Sequence, residues 1–367
     1  MIDRRLVQNF DWGLIGITLA ISLLGIMTLY SAVTAGKSVP NEAIYLKQIV
    51  WYCIGFGAMI CSFLFNYKAL DRWAIAIYCL AILFLLLVPF LGKYAGGSRR
   101  WLMFGPVSFQ PSEFAKLAVI IILARYYSRA ASSKGLSFRD LLAPFLLSIA
   151  PFILIVLQPD LGTAMMIFLI AATISLFVKI ERKTFIYLIS AGAVTIPLVW
   201  FFLKDYQKQR ILTFLNPDHD PLGAGYHIIQ SKIAIGSGMI AGKGFLKGTQ
   251  SALSFLPEQH TDFIFSVFAE EWGFIGSLVL LLLFFMLVIW GLKITYGCRD
   301  TFGTILSFGI TAMLSLEVIV NIGMAMGLMP VVGVTLPFIS YGGSSIVATM
   351  ISIGILLNIS MRRFLFE

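Results

Sequence analysis

The chain has 367 residues, of which 59% are hydrophobic and only 12% are charged, and its formal net charge is +9. Soluble domains carry about 25% charged residues, so this composition excludes an ordinary soluble protein and indicates an integral membrane protein. The four cysteines form no C-x-x-C pair, the three histidines lack the H-x-x-x-H spacing of a zinc helix, and no G-x-x-x-x-G-K-[ST] loop occurs. The sequence therefore argues against a zinc enzyme and a nucleotide-driven pump.

Ten apolar runs approach the length of about 20 residues that crosses a bilayer. They lie at residues 12–32, 47–66, 72–92, 110–127, 141–158, 161–180, 184–203, 262–292, 302–327 and 340–360. Transmembrane strands would alternate in polarity, whereas these runs are apolar on all sides. The sequence predicts an all-α fold: a polytopic membrane helix bundle of about ten transmembrane helices. We expect one domain over residues 1–367, with a long external loop at 204–261 between helices 7 and 8.

The basic residues predict the orientation, because Lys and Arg accumulate in cytoplasmic loops. With the N-terminus in the cytoplasm, the internal segments hold more than half of the 27 Lys and Arg residues. These are Arg4, Arg5, Lys68, Arg72, Arg125, Arg129, Lys134, Arg139, Lys179, Arg182, Lys183, Lys293, Arg299, Arg362 and Arg363. Both termini are then cytoplasmic. The first run is too long for a signal-peptide core and lacks an A-x-A site, so we expect it to be retained.

The segment at 204–261 begins polar, turns at Asn216-Pro217, and becomes amphipathic from Tyr226 to about Ile235. A cluster of glycines follows, and glycine permits tight turns and close backbone approach. Loops of this length without a function are uncommon, so we expect a folded, partly re-entrant cap over the outer face. Its basic residues suit an anionic substrate such as a lipid phosphate, and general attraction to anionic headgroups explains them equally well.

Three carboxylates, those of Asp262, Glu270 and Glu271, lie where the eighth apolar run begins. Counted from Lys293 at the inner boundary, about 20 residues with a rise of 1.5 Å each reach roughly Gly273. All three carboxylates are therefore predicted at the outer face, where a lipid-linked sugar would arrive. From position alone, Asp262 is most simply a helix N-cap, a common use of aspartate.

Further polar residues are candidates for binding a substrate. Glu113 and Lys116 stand three residues apart on one helical face. They form either a structural ion pair or a pyrophosphate site in which Glu113 orients the lysine. Arg100 and Arg210 are further phosphate candidates, and Asp160 stands where it would cap the sixth helix.

Two polar residues interrupt the ninth apolar run, Glu317 and Asn321, which stand four residues apart. Polar and ionisable groups inside a membrane are expensive and usually face the interior of the bundle. We interpret this pair as interhelical packing rather than as part of a catalytic site.

Long strings across the chain resemble the SEDS family, named for shape, elongation, division and sporulation. They are QRILTFLNPDHDPLGAGYHIIQSKIAIGSG, GKGFLKGTQ, FLPEQHTDFIFSVFAEEWGFIG and LPFISYGGSS, with SRRWLMFGPVSFQPSEFAKL and LQPDLGTAM elsewhere. The resemblance spans essentially all ten predicted helices. The chain length and the short N-terminal tail favour the rod-shape members of the family over its division members. One departure is Met239, where the family pattern suggests glycine.

The resemblance implies a peptidoglycan glycosyltransferase of the cytoplasmic (inner) membrane with its active site facing the periplasm or exterior. Such an enzyme polymerises lipid II into glycan strands during lateral cell-wall elongation. The 4-hydroxyl of an acceptor sugar attacks the anomeric carbon of the donor, and lipid pyrophosphate leaves.

The resemblance also implies roles for individual residues. The aspartate of HTDF, Asp262, corresponds to the catalytic residue and would be the general base on the acceptor 4-hydroxyl, a role worth about 10²–10⁴-fold in rate. The expected substrate-binding residues are Glu113, Lys116, Arg100, Arg210, Asp160 and His260. No cofactor is certain, and a divalent cation (Mg²⁺ or Mn²⁺) is left open, with Glu113 and Asp262 as its candidate ligands.

The implied partners are a class B penicillin-binding protein, which is the crosslinking transpeptidase, and other membrane proteins of the elongation complex, with no nucleic acid. A lipid II flippase and a non-catalytic scaffold for that transpeptidase are the alternatives. A flippase would line a path with polar groups through both leaflets. In this sequence they concentrate on the outer side, at 93–116, 158–160 and 204–271, which favours chemistry at one surface.

Overall fold

The computed structural model describes residues 10–35, 42–95, 98–105, 107–130, 135–202, 205–216, 224–253 and 258–362. Arg4, Arg5, Lys134 and Arg363 and the predicted turn after Asn216 lie outside these ranges. The helices are α1 Trp12–Thr34, α2 Glu42–Leu64, α3 Lys68–Leu91, α4 Pro111–Ala130, α5 Phe138–Leu157, α6 Leu161–Phe177, α7 Arg182–Phe202, α8 Asp205–Leu215, α9 Ala224–Ser237, α10 Thr249–Ala252, α11 Ile264–Gly297, α12 Thr301–Ala325 and α13 Gly343–Arg362. The strands are β1 Lys93–Ala95, β2 Ser98–Phe104 and β3 Val107–Phe109.

Each of the ten predicted membrane segments coincides with one helix, namely α1 to α7 and α11 to α13. Among the described residues, seven helices are long and apolar enough to cross a membrane. The helix α6 is shorter, at 17 residues, and α4 carries several charged side chains. The prediction of an all-α, multi-pass membrane protein is confirmed.

The interior of the bundle is formed by α12 and α13 together with α4. In α12 and α13, 78% and 89% of the apolar window is buried, compared with 17% in α3. The helix α13 packs on α2, α12 packs on α11 and α4, and α4 packs on α3. Lipid supplies no hydrophobic driving force between helices, so such packing rests on close van der Waals contact and interhelical hydrogen bonds. The polar residues of α4 and α12 therefore lie where they can bond to each other.

A small antiparallel sheet in the order β1-β2-β3 connects α3 to α4, and the sequence did not predict it. Tyr94 pairs with Arg99, and Leu102 pairs with Phe109. A connection at the end of a membrane bundle must still pair its buried backbone N–H and C=O groups, and a short hairpin does so within the segment. The sheet leads directly into α4 and carries Arg100 to the end of the bundle where α4 begins.

The segment predicted as a long loop contains the helices α8, α9 and α10. The predicted amphipathic stretch is confirmed as α9, which packs against α11 and α12. The Ser231 hydroxyl lies 2.6 Å from that of Ser266 and donates to the carbonyl of Ala325 at 2.5 Å. The ring of His227 stacks on that of Phe263, with 6.2 Å between their centroids. The segment is therefore folded onto the bundle beside the start of α11.

Candidate active site

A cavity of about 290 Å³ opens at the end of the bundle where α4, α6 and α13 begin. Five of the predicted site residues line it, namely Arg100, Glu113, Lys116, Asp160 and Asp262. His260 is not one of the residues that line the cavity. Its ring centroid lies 6.0 Å from that of Tyr341, and Tyr341 does line the cavity. Arg210 belongs to α8, and its side chain lies outside the described part of the chain. The cavity thus brings together residues that are up to 162 positions apart in the sequence.

Asp262 belongs to a turn that precedes α11, and it stands one residue before the N-cap position of that helix. The backbone N–H groups of Thr261 and Asp262 donate to the carbonyl of Glu258 at 3.2 Å. Phe263 occupies the N-cap position, without a side-chain cap bond. The predicted N-cap is therefore wrong, because the turn delays the start of the helix by one residue. The Asp262 side chain instead lines the cavity.

The main chain of Asp262 is held from α12 and from the segment before α13. The buried amide of Asn321 donates to the carbonyl of Asp262 at 3.1 Å and to that of Val334 at 2.7 Å. The Ser340 hydroxyl donates to the carbonyl of Thr261 at 2.6 Å. Asn321 was interpreted from the sequence as packing, and this bridging role was missed. The available signal was the cost of a polar amide inside an apolar run.

Lys116 is held between two carboxylates inside the bundle. Its Nζ lies 3.0 Å from Glu113 Oε2 and donates a short hydrogen bond to Glu317. The three side chains are almost fully buried, with at most 8% exposure. The predicted pairing of Glu113 with Lys116 is confirmed, and the contribution of Glu317 was missed because 201 positions separate it from Lys116. The Lys116 charge is therefore already balanced by protein groups.

Arg100 and Asp160 form a second pair at the cavity. Arg100 Nη1 lies 3.8 Å from Asp160 Oδ1, and Arg100 also donates to the carbonyl of Pro159. Asp160 accepts from the backbone N–H of Thr163 at 3.3 Å and from its hydroxyl at 3.0 Å, so the predicted N-cap of α6 is confirmed. The Arg100 side chain is 32% exposed, which leaves part of the guanidinium accessible from the cavity.

The described lining is acidic rather than cationic. Its charged groups are Arg100 and Lys116 against Glu113, Asp160, Glu258 and Asp262. No three His, Cys, Asp or Glu side chains in the described ranges are grouped so as to hold a metal ion. Glu113, one of the two candidate ligands, is bonded to Lys116. These residues therefore do not form a ready divalent-cation site in the described part of the chain.

Glu270 and Glu271, which the sequence predicts at the outer face together with Asp262, do not line the cavity. Their exposed fractions are 0% and 2%. Glu270 Oε1 accepts from Lys243 Nζ at 2.7 Å and from the Gln250 N–H at 3.0 Å. Glu271 Oε1 accepts from the Leu246 N–H at 3.1 Å. Both carboxylates therefore hold the glycine-rich segment 238–250 against α11.

The segment 238–250 supplies hydrogen bonds that α11 lacks where the helix is broken at Gly273. Gly273 has φ 65° and ψ −161° inside the 34-residue helix, a conformation that glycine adopts readily. The N–H groups of residues 274 and 275 donate to the carbonyls of Met239 and Ile240, at 2.8 and 3.1 Å. In return, the N–H groups of residues 243 and 244 donate to the carbonyls of 270 and 271, at 3.0 and 2.9 Å. Met239, the one departure from the family pattern, has φ 48°, in the region that favours glycine.

The fold and the cavity define a multi-pass membrane protein with a polar site at one end of its helix bundle. The family model for FtsW, RodA and SpoVE, described as cell cycle protein, matches residues 11–364. The chain belongs to this family, which confirms the SEDS resemblance.

Several curated relatives match nearly the whole chain. MrdB of Escherichia coli K12, named a peptidoglycan glycosyltransferase, is 40% identical over 94% of this chain and 93% of its own length. RodA of Treponema pallidum, given the same activity, is 33% identical over 98% of this chain and 99% of its own length. FtsW of Geobacter sulfurreducens, named a probable peptidoglycan glycosyltransferase, is 38% identical over 98% of both chains.

Two solved structures are similar in fold and sequence. A chain from a peptidoglycan synthase complex, in a study of how polymerization and crosslinking are coordinated, has a TM-score of 0.82 and 32% identity. The crystal structure of the rod shape determining protein RodA of Thermus thermophilus has a TM-score of 0.70 and 28% identity. Each alignment covers 97% of this chain and 98% of the other.

Proposed function

We propose that this protein polymerises lipid II into glycan strands during cell-wall elongation, with Asp262 as the general base on the acceptor sugar. The chain is a peptidoglycan glycosyltransferase, the activity for which its relatives from Escherichia coli and Treponema pallidum are named. The observation that carries the residue assignment is the cavity, which places Asp262 in the same lining as Glu113, Lys116, Arg100 and Asp160.

The proposed step joins two sugars and releases a lipid pyrophosphate. The acceptor 4-oxygen forms a bond to the anomeric carbon of the donor while the bond from that carbon to the pyrophosphate oxygen breaks. Asp262 takes the proton of the acceptor hydroxyl, and the electron pair of the broken bond leaves with the pyrophosphate. Arg100, which is partly exposed, can contact the departing phosphate. Asn321 fixes the main chain of Asp262, so that the carboxylate keeps its place in the cavity.

The test compares Asp262→Asn with Asp300→Asn in the purified protein. Asparagine has nearly the size of aspartate but does not take up a proton as a carboxylate does. Asp300 caps α12 by accepting from the Gly303 N–H at 3.0 Å, and asparagine is an equally good N-cap, so this control keeps its fold and activity. We expect Asp262→Asn to lower the rate of glycan synthesis from lipid II by about 10²–10⁴-fold. Synthesis near the wild-type rate would refute the assignment.

The same pair of variants separates a polymerase from a flippase. A flippase in which Asp262 only shapes a turn would retain its transport of labelled lipid II after the change to asparagine. We expect the purified wild-type protein to make glycan strands in detergent, where no second membrane compartment exists. A preparation that transports lipid II in vesicles without polymerising it would support the alternative.

The proposed orientation places both termini in the cytoplasm and the cavity on the outer face. Support comes from the distribution of basic residues. The test uses a background without the four native cysteines and introduces single cysteines at Lys247 or Arg299, both exposed in the structure. An impermeant thiol reagent should label the first in intact cells and the second only after permeabilisation. The reverse pattern would overturn the orientation.

The proposed partner is a class B penicillin-binding protein that crosslinks the new glycan. Its support is the similarity to a chain of a synthase complex. We expect such a protein to copurify with this chain and to raise its rate of polymerisation. Equal rates with and without the partner would contradict a functional pairing.

A further inference from the structure

A second cleft lies at the opposite end of the bundle from the cavity, between α3, α4 and α5. Its volume is about 650 Å³. The walls are formed mainly by apolar side chains, among them Ile75 and Cys79 of α3, Ile122 of α4 and Leu147 of α5. Ile75 is 56% exposed, so the cleft opens on the outer surface of the bundle. In a membrane, hydrocarbon faces this surface, and an apolar opening of this size takes up a lipid chain rather than water.

Two arginines of α4 stand at one end of this cleft. Arg125 donates to the main-chain carbonyls of Asp71 and Arg72, the latter at 3.2 Å. Arg129 Nη2 lies 3.4 Å from Asp71 Oδ2, and its side chain is 58% exposed. The lining of the cleft carries two guanidinium groups and no carboxylate, so it is positively charged, and Asp71 opposes both arginines from outside the lining. The bonds of Arg125 fix its guanidinium in place, while Arg129 has most of its surface open to a ligand.

The charged and apolar parts of the cleft have the spacing of a phospholipid. Along α4, Ile122 is seven residues from Arg129, or about 10 Å at 1.5 Å per residue. Glu113, at the cavity, is about 24 Å from Arg129 on the same scale, which places the arginines near the other membrane boundary. A phosphate bound at Arg129 would leave one acyl chain running along Ile122 toward the middle of the bundle.

We propose that this cleft binds an anionic diacyl phospholipid. The headgroup phosphate bonds to Arg129 and Arg125, and one acyl chain fills the channel along Ile75, Ile122 and Leu147. Arginine suits the headgroup because its planar donor fork matches phosphate oxygens. A net positive charge between transmembrane helices favours a lipid with net negative charge over a zwitterionic one. The site is separate from the polymerisation cavity and does not depend on the proposed catalytic role of Asp262.

Native mass spectrometry of the purified full-length protein tests this proposal. The probes are phosphatidylglycerol and phosphatidylcholine with the same acyl chains, offered at equal concentration. We expect wild-type protein to retain phosphatidylglycerol at least fivefold more than phosphatidylcholine. Arg129→Gln should lower retention of phosphatidylglycerol about fivefold, the effect of one basic residue near an anionic surface, and should lower that of phosphatidylcholine, which has a phosphate but no net charge, by less. Arg299→Gln makes the same change in the connection between α11 and α12 and should alter neither.

A second variant tests the apolar part of the cleft. Leu147→Trp places a larger side chain in the channel and should reduce retention of both lipids. The Leu147 main-chain carbonyl, which accepts from the Tyr78 hydroxyl at 2.8 Å, is retained in this variant. Equal retention of the two lipids by wild-type protein would overturn the proposal. So would identical behaviour of Arg129→Gln and Arg299→Gln, or unchanged retention in Leu147→Trp, since each outcome places the lipid elsewhere.

Discussion

Replacing Lys116 with methionine tests how the buried charges of the bundle are balanced. The Lys116 ammonium lies 3.0 Å from Glu113 and is hydrogen-bonded to Glu317, with 3% of the residue exposed. Methionine has nearly the same length but no charge, so the two carboxylates would remain buried without their cation. Breaking a buried ion pair by removing one partner costs about 3–5 kcal/mol. We expect Lys116→Met to lower the free energy of unfolding by that amount.

The assay is thermal unfolding of the purified protein in detergent. Lys183→Met is the matched control, because Lys183 is exposed at the start of α7 and its charge is solvated. We expect a clearly lower midpoint for Lys116→Met and a midpoint near that of wild type for the control. If the two variants unfold at the same temperature, the ammonium does not stabilise the carboxylates, and this reasoning is refuted.

A triple variant separates the structural role of Lys116 from a role in binding substrate. Glu113→Gln and Glu317→Gln, added to Lys116→Met, remove all three charges and leave no unpaired carboxylate. Replacing a buried ionic cluster with neutral groups is often close to neutral for stability, so we expect the midpoint to recover. If the recovered protein polymerises lipid II, the cluster is structural. If it is folded and inactive, Lys116 or its partners act on the substrate.

Further outcomes are expected for two glycines, for Asn321 and for His227. Gly242→Ala should destabilise the protein by at least about 1–2 kcal/mol, because Gly242 has φ 78° and a Cβ would lie 2.1 Å from a main-chain oxygen of α11. Gly16→Ala, where a Cβ meets nothing within 4 Å, should be neutral or stabilising in the same unfolding assay. Asn321→Ala should reduce kcat more than it raises KM for lipid II, because it frees the main chain of Asp262. Burial lowers the pKa of the His227 imidazole below its usual 6.5, so stability should fall as the pH drops below about 6.5, and His227→Phe should weaken this dependence of the unfolding midpoint.

The positions of the helices could be predicted from the sequence because the membrane sets their length. A run such as 302–327 must be helical, since only a helix satisfies its own backbone polar groups in lipid. The sheet before α4 was not predictable in the same way, because its strands are short and lie outside the hydrocarbon. The break at Gly273 was also missed. Glycine is common within membrane helices, and only the presence of segment 238–250 distinguishes this one.

Five of the predicted residues line the cavity, and their contacts were predictable only where they are local in the sequence. Asp160 was correctly placed as a cap because an N-cap depends on its immediate neighbours. The capping role considered for Asp262 failed because a turn, held by the remote residues Asn321 and Ser340, delays α11. Likewise, the spacing of Glu113 and Lys116 indicates their pairing, while Glu317 comes from another helix. Contacts between residues that are close in the sequence follow from their spacing. A contact between distant residues, such as that of Lys116 with Glu317, depends on the packing of α4 against α12.

The break in α11 explains how two adjacent carboxylates are tolerated near the membrane. The part of α11 from Phe274 to Gly297 is about 36 Å long at 1.5 Å per residue, which is enough to cross the hydrocarbon without the residues before Gly273. The part that carries Glu270 and Glu271 therefore need not lie in the hydrocarbon, and it is hydrogen-bonded to segment 238–250. Asp262 precedes this part directly. Its position consequently depends on that segment as well as on α12, so a substitution such as Gly242→Ala should reduce polymerisation without touching the cavity.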